Sequence, residues 1–307
     1  MIRLLAALLP LALLAGCASR PPAATEVRRA EPAGSRIAAS PSDAPVWPSN
    51  APGLAATSAI MIDARTGEVL MQKNADTQRQ VASTQKLLTA LLIARSGDLD
   101  RKVIIAPEDT RVEPTKLGLK PGDRHTRRAL LEVIMVKSCN DACAALARDH
   151  SGSHAAFVAE MNATAWGLGA RSSHFVNSHG LPAPQFSTAR DIARVAFLAY
   201  REPVLRQFMR QQSAVFRHNS GRVTTLKATN KLLARYPSVT GMKTGYTDAA
   251  GRCFVSSGRF NGREVILVQL GSKTRYIFDD AARVMAWRGG GPTSYAAADN
   301  GTVYSTF

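Results

Sequence analysis

Residues 81–92 read VASTQKLLTALL. Leu87, Leu88, Ala90, Leu91, Leu92 and Ile93 make the run apolar nearly all round, which predicts a helix buried on every side rather than one lying on a surface. Ser83 and Lys86 stand at its head, and helical geometry brings residues at that spacing to one face of the first turn. Taken alone, the pair reads as a serine N-cap followed by a lysine whose stem snorkels to water. A buried amine, however, must be hydrated, paired or neutral. A neutral lysine beside a serine hydroxyl is a base beside its nucleophile.

Working outward, SAIMID (58–63) and EVLMQK (68–73) are short alternating runs joined by ARTG, the pattern of a β-hairpin. Downstream, helical periodicity covers 83–95, 126–136, 139–149, 153–166 and 188–200. Gly118, Pro121 and Gly122 mark a loop before Thr126, which reads as a helix cap. Strand patterns return at 213–218, 222–227, 239–245, 252–259 and 264–270, with Asn261-Gly262 as a tight turn between the last two. A final helix is expected at about 278–287. Strands from both ends of the chain therefore flank a helical insert. The expected class is α/β in the broad sense, an α+β fold whose antiparallel sheet is covered by the first and last helices.

The N-terminus, MIRLLAALLPLALLAGC, has a basic start at Arg3 and an apolar run broken by Pro10, and reads as a secretory signal. Its end, Leu14-Ala15-Gly16-Cys17, resembles the bacterial lipobox, which implies lipidation of Cys17. Ala18 after that cysteine points to the outer membrane of a Gram-negative cell, so the chain is expected to be exported, periplasmic and lipid-anchored. Residues 18–56, rich in Pro, Ala and Ser, read as a disordered tether with a reach of roughly 35 Å. Residues 291–307 lack a packing pattern and read as a flexible tail.

The 307 residues carry a net charge of +16, which suits attraction to an anionic polymer such as cell-wall peptide carboxylates. There is no basic stripe interleaved with aromatics, which argues against nucleic acid as a partner. With Cys17 lipidated, Cys139, Cys143 and Cys253 remain, an odd count that argues against a disulfide framework. Buried thiols are the expectation, and Cys139 with Cys253 is the one pairing left open. No CxxC occurs and the six His are scattered, so no metal or other cofactor is expected.

Two further segments bear on Ser83. Lys137-Ser138-Cys139-Asn140 falls between two helical runs, and Gly241-Met242-Lys243-Thr244-Gly245 falls on a strand. Separately, Ser138 reads as a cap and Lys243 as a strand lysine that discourages edge pairing. Together they complete the order S-x-x-K, S-x-N, K-T-G, with about 50 and then about 100 residues between the motifs. In these residues the chain resembles the penicillin-recognising serine peptidases. Within them it is most similar to the low-molecular-mass penicillin-binding proteins that are D-alanyl-D-alanine carboxypeptidases. The resemblance runs from about 57 to 290 and includes AIMIDARTGEVLMQKNAD, FVNSHGL, STARDIARVA and NKLLARYPSVTGMKTGYTDAAG.

That resemblance implies a five-stranded antiparallel sheet flanked by helices, a mainly helical inserted subdomain, and a catalytic domain over 57–290. It implies Ser83 as nucleophile and Lys86 as its base, with burial and the Lys243 cation lowering the Lys86 pKa. Ser138, held by Lys243, would relay the proton to the leaving amine, and Asn140 would bind the substrate amide and place Lys86. Thr244 would bind the terminal carboxylate, with Lys273 or Arg275 beside it. Gly245 and Tyr246 would line the substrate site, the N–H of Tyr246 joining that of Ser83 as an oxyanion donor. His179 reads as a loop residue rather than an acid or base. The implied partners are peptidoglycan stem peptides ending in D-Ala-D-Ala, and β-lactams as inhibitors.

A class A β-lactamase shares the motifs but adds a Glu within E-x-x-L-N to activate the deacylating water. Glu160 is the only Glu between 133 and 201, and its surroundings, AEMNAT, do not fit that pattern. A non-catalytic wall-binding lipoprotein would carry a broken motif, and none is broken. Cys139 in the middle of S-x-N raises the expectation that thiol reagents disturb the site.

Overall fold

The computed structural model describes residues 46–288. The signal segment, the lipidation at Cys17, residues 18–45 of the tether and the tail lie outside the described residues.

β1 (Ser58–Asp63) and β2 (Val69–Lys73) form the expected hairpin. A 3₁₀ turn at Ala82–Gln85 leads into α1 (Lys86–Arg95). β3 (Lys102–Ile104), β4 (Arg124–Thr126), α2 (Arg127–Lys137), α3 (Asn140–Ser151), α4 (His154–Gly167), α5 (Ala189–Arg201) and α6 (Pro203–Met209) make up the insert. The chain continues through β5 (Ser213–Arg217), β6 (Val223–Lys227), α7 (Leu232–Arg235), β7 (Val239–Thr247), β8 (Gly251–Phe260), β9 (Arg263–Ser272) and α8 (Ile277–Arg288). Five strands pair antiparallel in the order β2-β1-β9-β8-β7, the sheet that the resemblance implies, while β5 and β6 form a ribbon of their own.

The central strands are apolar on both faces because each face has its own core. Ile60, Ile62, Ile266, Val268 and Leu270 turn toward the helical insert. Met61, Val265 and Leu267 turn the other way, against Leu232, Ala281, Val284 and Met285. Strands covered on both sides read as continuous apolar runs rather than as alternation. α8 covers one face as expected. On the other face α5, not α1, lies against β1 and β9. α1 is instead packed among α2, α3, α4, α5 and α6, which is why it is apolar all round.

Local signals fared well where they were strong. Thr126 caps α2, its side chain accepting from the Ala129 N–H at 3.1 Å. Asn261 and Gly262 have φ of 47° and 81°, the left-handed pair that a tight β8–β9 hairpin requires. β3, β4, α6 and α7 were not expected, being too short to show a period. Pro203 in the first turn of α6 was the signal available there.

The folded part also begins before the expected boundary at 57. The Trp47 N–H donates to the Gln72 carbonyl at 2.8 Å, and the Ala55 N–H donates to the Asp280 carboxylate at 2.9 Å. Trp47 and Leu54 pack on the core beneath α8. A composition rich in Pro and Ala reads as tether, yet these two apolar side chains find a face made by residues more than two hundred positions away.

Candidate active site

The turn that carries Ser83 differs from the expected α-helical start in one useful way. Residues 82–85 wind as a 3₁₀ turn, in which residues i and i+3 stand in line. The Lys86 Nζ lies 2.8 Å from the Ser83 Oγ. Ser83 is half-buried, whereas Lys86 is fully buried. The same Nζ lies 2.7 Å from Asn140 Oδ1 and 2.5 Å from the His179 carbonyl oxygen. Among the described residues no carboxylate pairs with it. Burial pulls the Lys86 amine down to about 8. Cys139 and Cys143 beside it are pushed up by the same burial, Cys139 to about 12, so they remain neutral thiols at pH 7 and bring no compensating charge.

Asn140 is aimed at Lys86 from the start of α3. Ser138 ends α2 in the left-handed region, with φ of 71°, and the chain turns there into α3. The Asn140 side-chain amide donates to the Pro114 carbonyl, and its backbone N–H donates to the Thr115 carbonyl at 2.9 Å. Next to it, the buried Asp141 carboxylate accepts from the N–H groups of Leu117 and Gly118, both at 2.9 Å, and of Leu119 at 3.2 Å. The 114–119 loop is thereby pinned to the head of α3, and with Nδ2 committed to that loop, Oδ1 is the atom left for Lys86.

The third motif lies on β7, the edge strand. Gly245 backs onto that turn so closely that a Cβ there would lie 2.8 Å from the Ser83 nitrogen. Strand alternation puts Lys243 on the same face. Lys243 is buried, and burial followed by the Lys86 charge pushes its amine well below the usual lysine range. Burial is likewise the leading cause of the lowered Lys86 amine, as expected. The expected grip of Lys243 on Ser138 is not made. The amine donates to the Thr244 carbonyl at 2.9 Å, and the Ser138 hydroxyl has no hydrogen-bond partner among the described residues. The Thr244 hydroxyl lies 2.7 Å from that of Thr229. Tyr246 is exposed, its hydroxyl donating to Asp248 at 2.7 Å and its ring lying under the Arg252 guanidinium.

Burial, then the Lys86 charge, push the His179 imidazole down to about 3, so the ring stays neutral. Its backbone carbonyl is nevertheless an acceptor for Lys86 and, at 3.3 Å, for the Ser83 hydroxyl. The loop that presents it is built locally. Asn177 Oδ1 accepts from the N–H groups of His179 at 3.2 Å and Gly180 at 2.7 Å. Gln85 Nε2 ties the loop to the turn that carries Ser83 through the Asn177 carbonyl at 2.6 Å.

A family model for the D-alanyl-D-alanine carboxypeptidases, the S11 serine peptidases, matches residues 46–274. The chain belongs to this family. It is 35% identical over 237 residues to the D-alanyl-D-alanine carboxypeptidase DacB2 of Mycobacterium tuberculosis, covering 74% of this chain and 80% of that one. It is 32% identical over 239 residues to a D-alanyl-D-alanine endopeptidase of Pseudomonas aeruginosa, covering 76% and 77% respectively. The crystal structure of a D-alanyl-D-alanine carboxypeptidase from Mycobacterium tuberculosis superposes with a TM-score of 0.76 at 32% identity, over 80% of this chain and 96% of that one. The family is one of serine DD-carboxypeptidases and endopeptidases, and a β-lactamase reading does not fit it. The Glu160 carboxylate is committed elsewhere, accepting from the Ser151 hydroxyl at 2.8 Å and pairing with His150 at 3.0 Å.

Two peripheral expectations for this carboxypeptidase-family chain are sharpened. Lys273 follows Ser272, whose register partner is Arg252, itself the partner of Tyr246, so it stands at the same end of the sheet as the third motif. The Arg275 guanidinium instead lies over the Tyr276 ring at 5.6 Å. Cys139, Cys143 and Cys253 are free and buried, so the pairing left open between Cys139 and Cys253 is not formed. A buried thiol held near pKa 12 offers almost no thiolate to an alkylating reagent. Treating the native protein with iodoacetamide is therefore expected to leave the rate of penicillin labelling unchanged, contrary to the sensitivity that its place in the motif suggested; a slowed rate would show Cys139 to be reachable.

Proposed function

We propose that this chain is a serine D-alanyl-D-alanine carboxypeptidase that trims peptidoglycan stem peptides through an acyl-enzyme on Ser83. The observation that carries the assignment of roles is the set of three oxygens around one buried amine. A neutral lysine has two N–H donors and one lone pair. Asn140 Oδ1 and the His179 carbonyl take the two donors. The lone pair then faces the Ser83 hydroxyl, which is the orientation a general base needs.

The Ser83 oxygen attacks the carbonyl of the penultimate D-Ala while its proton passes to Lys86. The N–H groups of Ser83 and Tyr246 hold the resulting oxyanion. The C–N bond breaks as the proton reaches the leaving D-Ala nitrogen by way of Ser138, and D-Ala departs. Water then attacks the ester carbonyl, giving a proton to Lys86; the bond from the acyl carbon to Ser83 Oγ breaks, Lys86 returns the proton to Ser83 Oγ, and the shortened stem peptide leaves. Asn140 binds the substrate amide, Thr244 the terminal carboxylate, and Gly245, lacking a Cβ, lets β7 pack directly against the turn that carries Ser83. Cleavage of a D-Ala cross-link would use the same groups with a larger leaving amine. Lipidation at Cys17 and a tether over 18–45, of roughly 30 Å reach, would let the enzyme work on the wall from the periplasmic face of the outer membrane.

The test uses the full chain. Fluorescent penicillin should label the wild type and leave Ser83→Ala unlabelled. D-Ala should be released from a diacyl-Lys-D-Ala-D-Ala tripeptide, with slow turnover of a chromogenic cephalosporin. Fast cephalosporin turnover without D-Ala release would overturn the reading.

A further inference from the structure

One hydroxyl contact beside the site has no role in the steps above. The Thr244 and Thr229 side-chain oxygens are 2.7 Å apart. Thr229 lies in the connection between β6 and α7, where its position is set by backbone bonds. Its N–H donates to the Val136 carbonyl at 3.0 Å, two residues before Ser138, and the neighbouring Ala228 N–H donates to the Gln212 carbonyl at 2.8 Å. Thr229 thus ties the last turn of α2, which leads into the second motif, to the strand of the third. It is half-buried, as is Thr244.

Each hydroxyl holds one proton and two lone pairs, so only one of the two can donate across this contact at a time. When Thr244 donates to Thr229, it has no proton left for a ligand. A carboxylate only accepts. For Thr244 to bind one, Thr229 must become the donor, so that the chain runs from Thr229 to Thr244 to the carboxylate. That reversal needs two hydroxyl rotations and no movement of heavy atoms. It also fixes the Thr244 rotor and polarises its O–H toward the anion.

We propose that Thr229 is a positioning residue for substrate-carboxylate recognition: its hydroxyl donates to Thr244 and so sets Thr244 to donate to the terminal carboxylate of the peptide or to the carboxylate of a β-lactam. This rests on the reading of Thr244 given above. Thr229 does not touch the substrate and acts only through its neighbour.

The experiment compares acylation of the full chain by a penicillin and by the methyl ester of its carboxyl group, in the wild type, Thr229→Val and Thr229→Ser. Valine keeps the shape and removes the donor. Expected is a loss of about 5–10-fold in the acylation rate constant for the penicillin in Thr229→Val, no difference between Thr229→Val and wild type for the ester, and near wild-type behaviour of Thr229→Ser with both. With the tripeptide, the loss should fall on KM rather than on kcat. An equal loss on acid and ester, or no loss on the acid, would overturn the proposal, as would Thr229→Ser behaving like Thr229→Val. If the wild type is acylated by neither compound, the reading of Ser83 fails first, and the two failures are told apart.

Discussion

Replacing Lys86 by Met is expected to slow acylation of Ser83 by about 10³–10⁴-fold while leaving the protein folded. Methionine is unbranched and close in length, and it fits a site closed by α1 and its helical neighbours. What disappears is the only base within hydrogen-bond distance of the Ser83 hydroxyl among the described residues. The same amine predicts a pH profile. It must be neutral to act, and burial holds it at about 8 rather than near the ordinary lysine value of 10.5. About one-tenth of the enzyme is then competent at pH 7. The kcat/KM for acylation should rise about tenfold between pH 7 and pH 9.5, with an apparent pKa near 8, and then level off. The same burial acts on stability with a definite sign. Between pH 8 and 10.5 the unfolded chain holds the proton that the folded chain has lost, so stability rises with pH across that window, by roughly 3 kcal/mol in total from this group. A flat acylation profile from pH 6 to 10, or a Lys86→Met variant within tenfold of wild type, would remove Lys86 from the base role.

The second large effect is expected at Gly180. Its φ is +85°, a conformation that side chains rarely adopt, and a Cβ there would lie 2.2 Å from the Ala82 carbonyl oxygen and 2.9 Å from the Ser83 nitrogen. Both obstacles are backbone of the nucleophile turn, so no side chain can swing aside. Gly180→Ala must push apart the 177–181 loop and the turn, and these carry the His179 carbonyl and the Ser83–Lys86 pair between them. Destabilisation of about 2–4 kcal/mol is expected, and penicillin labelling should fall at least about 100-fold from displacement of the reacting groups. Gly221→Ala separates strain from collision, because Gly221 has φ of +84° with nothing within 4 Å of its added Cβ. That control should cost only about 1 kcal/mol and leave labelling intact. Thermal melts and labelling rates on the three proteins decide the matter: a Gly180→Ala enzyme as stable and as fast as the Gly221→Ala control would mean that the loop and the turn are not tightly packed.

Much of this protein was legible from local chemistry, because local signals are written in side chains. Ser83, Lys86, Ser138, Asn140 and Lys243 were singled out by type and order, and Thr126, Asn261 and Gly262 by what caps and tight turns demand. The all-round apolar character of 87–93 already required a helix with no free face. The sequence could not show which groups surround the amine. Two of the three oxygens around Lys86 are side-chain atoms, but the third is the carbonyl of His179, and a carbonyl is present at every position whatever the letter. The grip of Asp141 on three successive N–H groups, the Pro114 carbonyl that turns Asn140, and the Thr229 hydroxyl are hidden for the same reason: each partner is distant in sequence and is met only after the chain has folded. The chain alone determined which nucleophile and which amine are available, and that they lie one turn apart. Tertiary structure alone decided that this amine is dry, because the head of α3 and the 177–181 loop close over the turn that carries it, and an amine's pKa depends on the solvent it has lost.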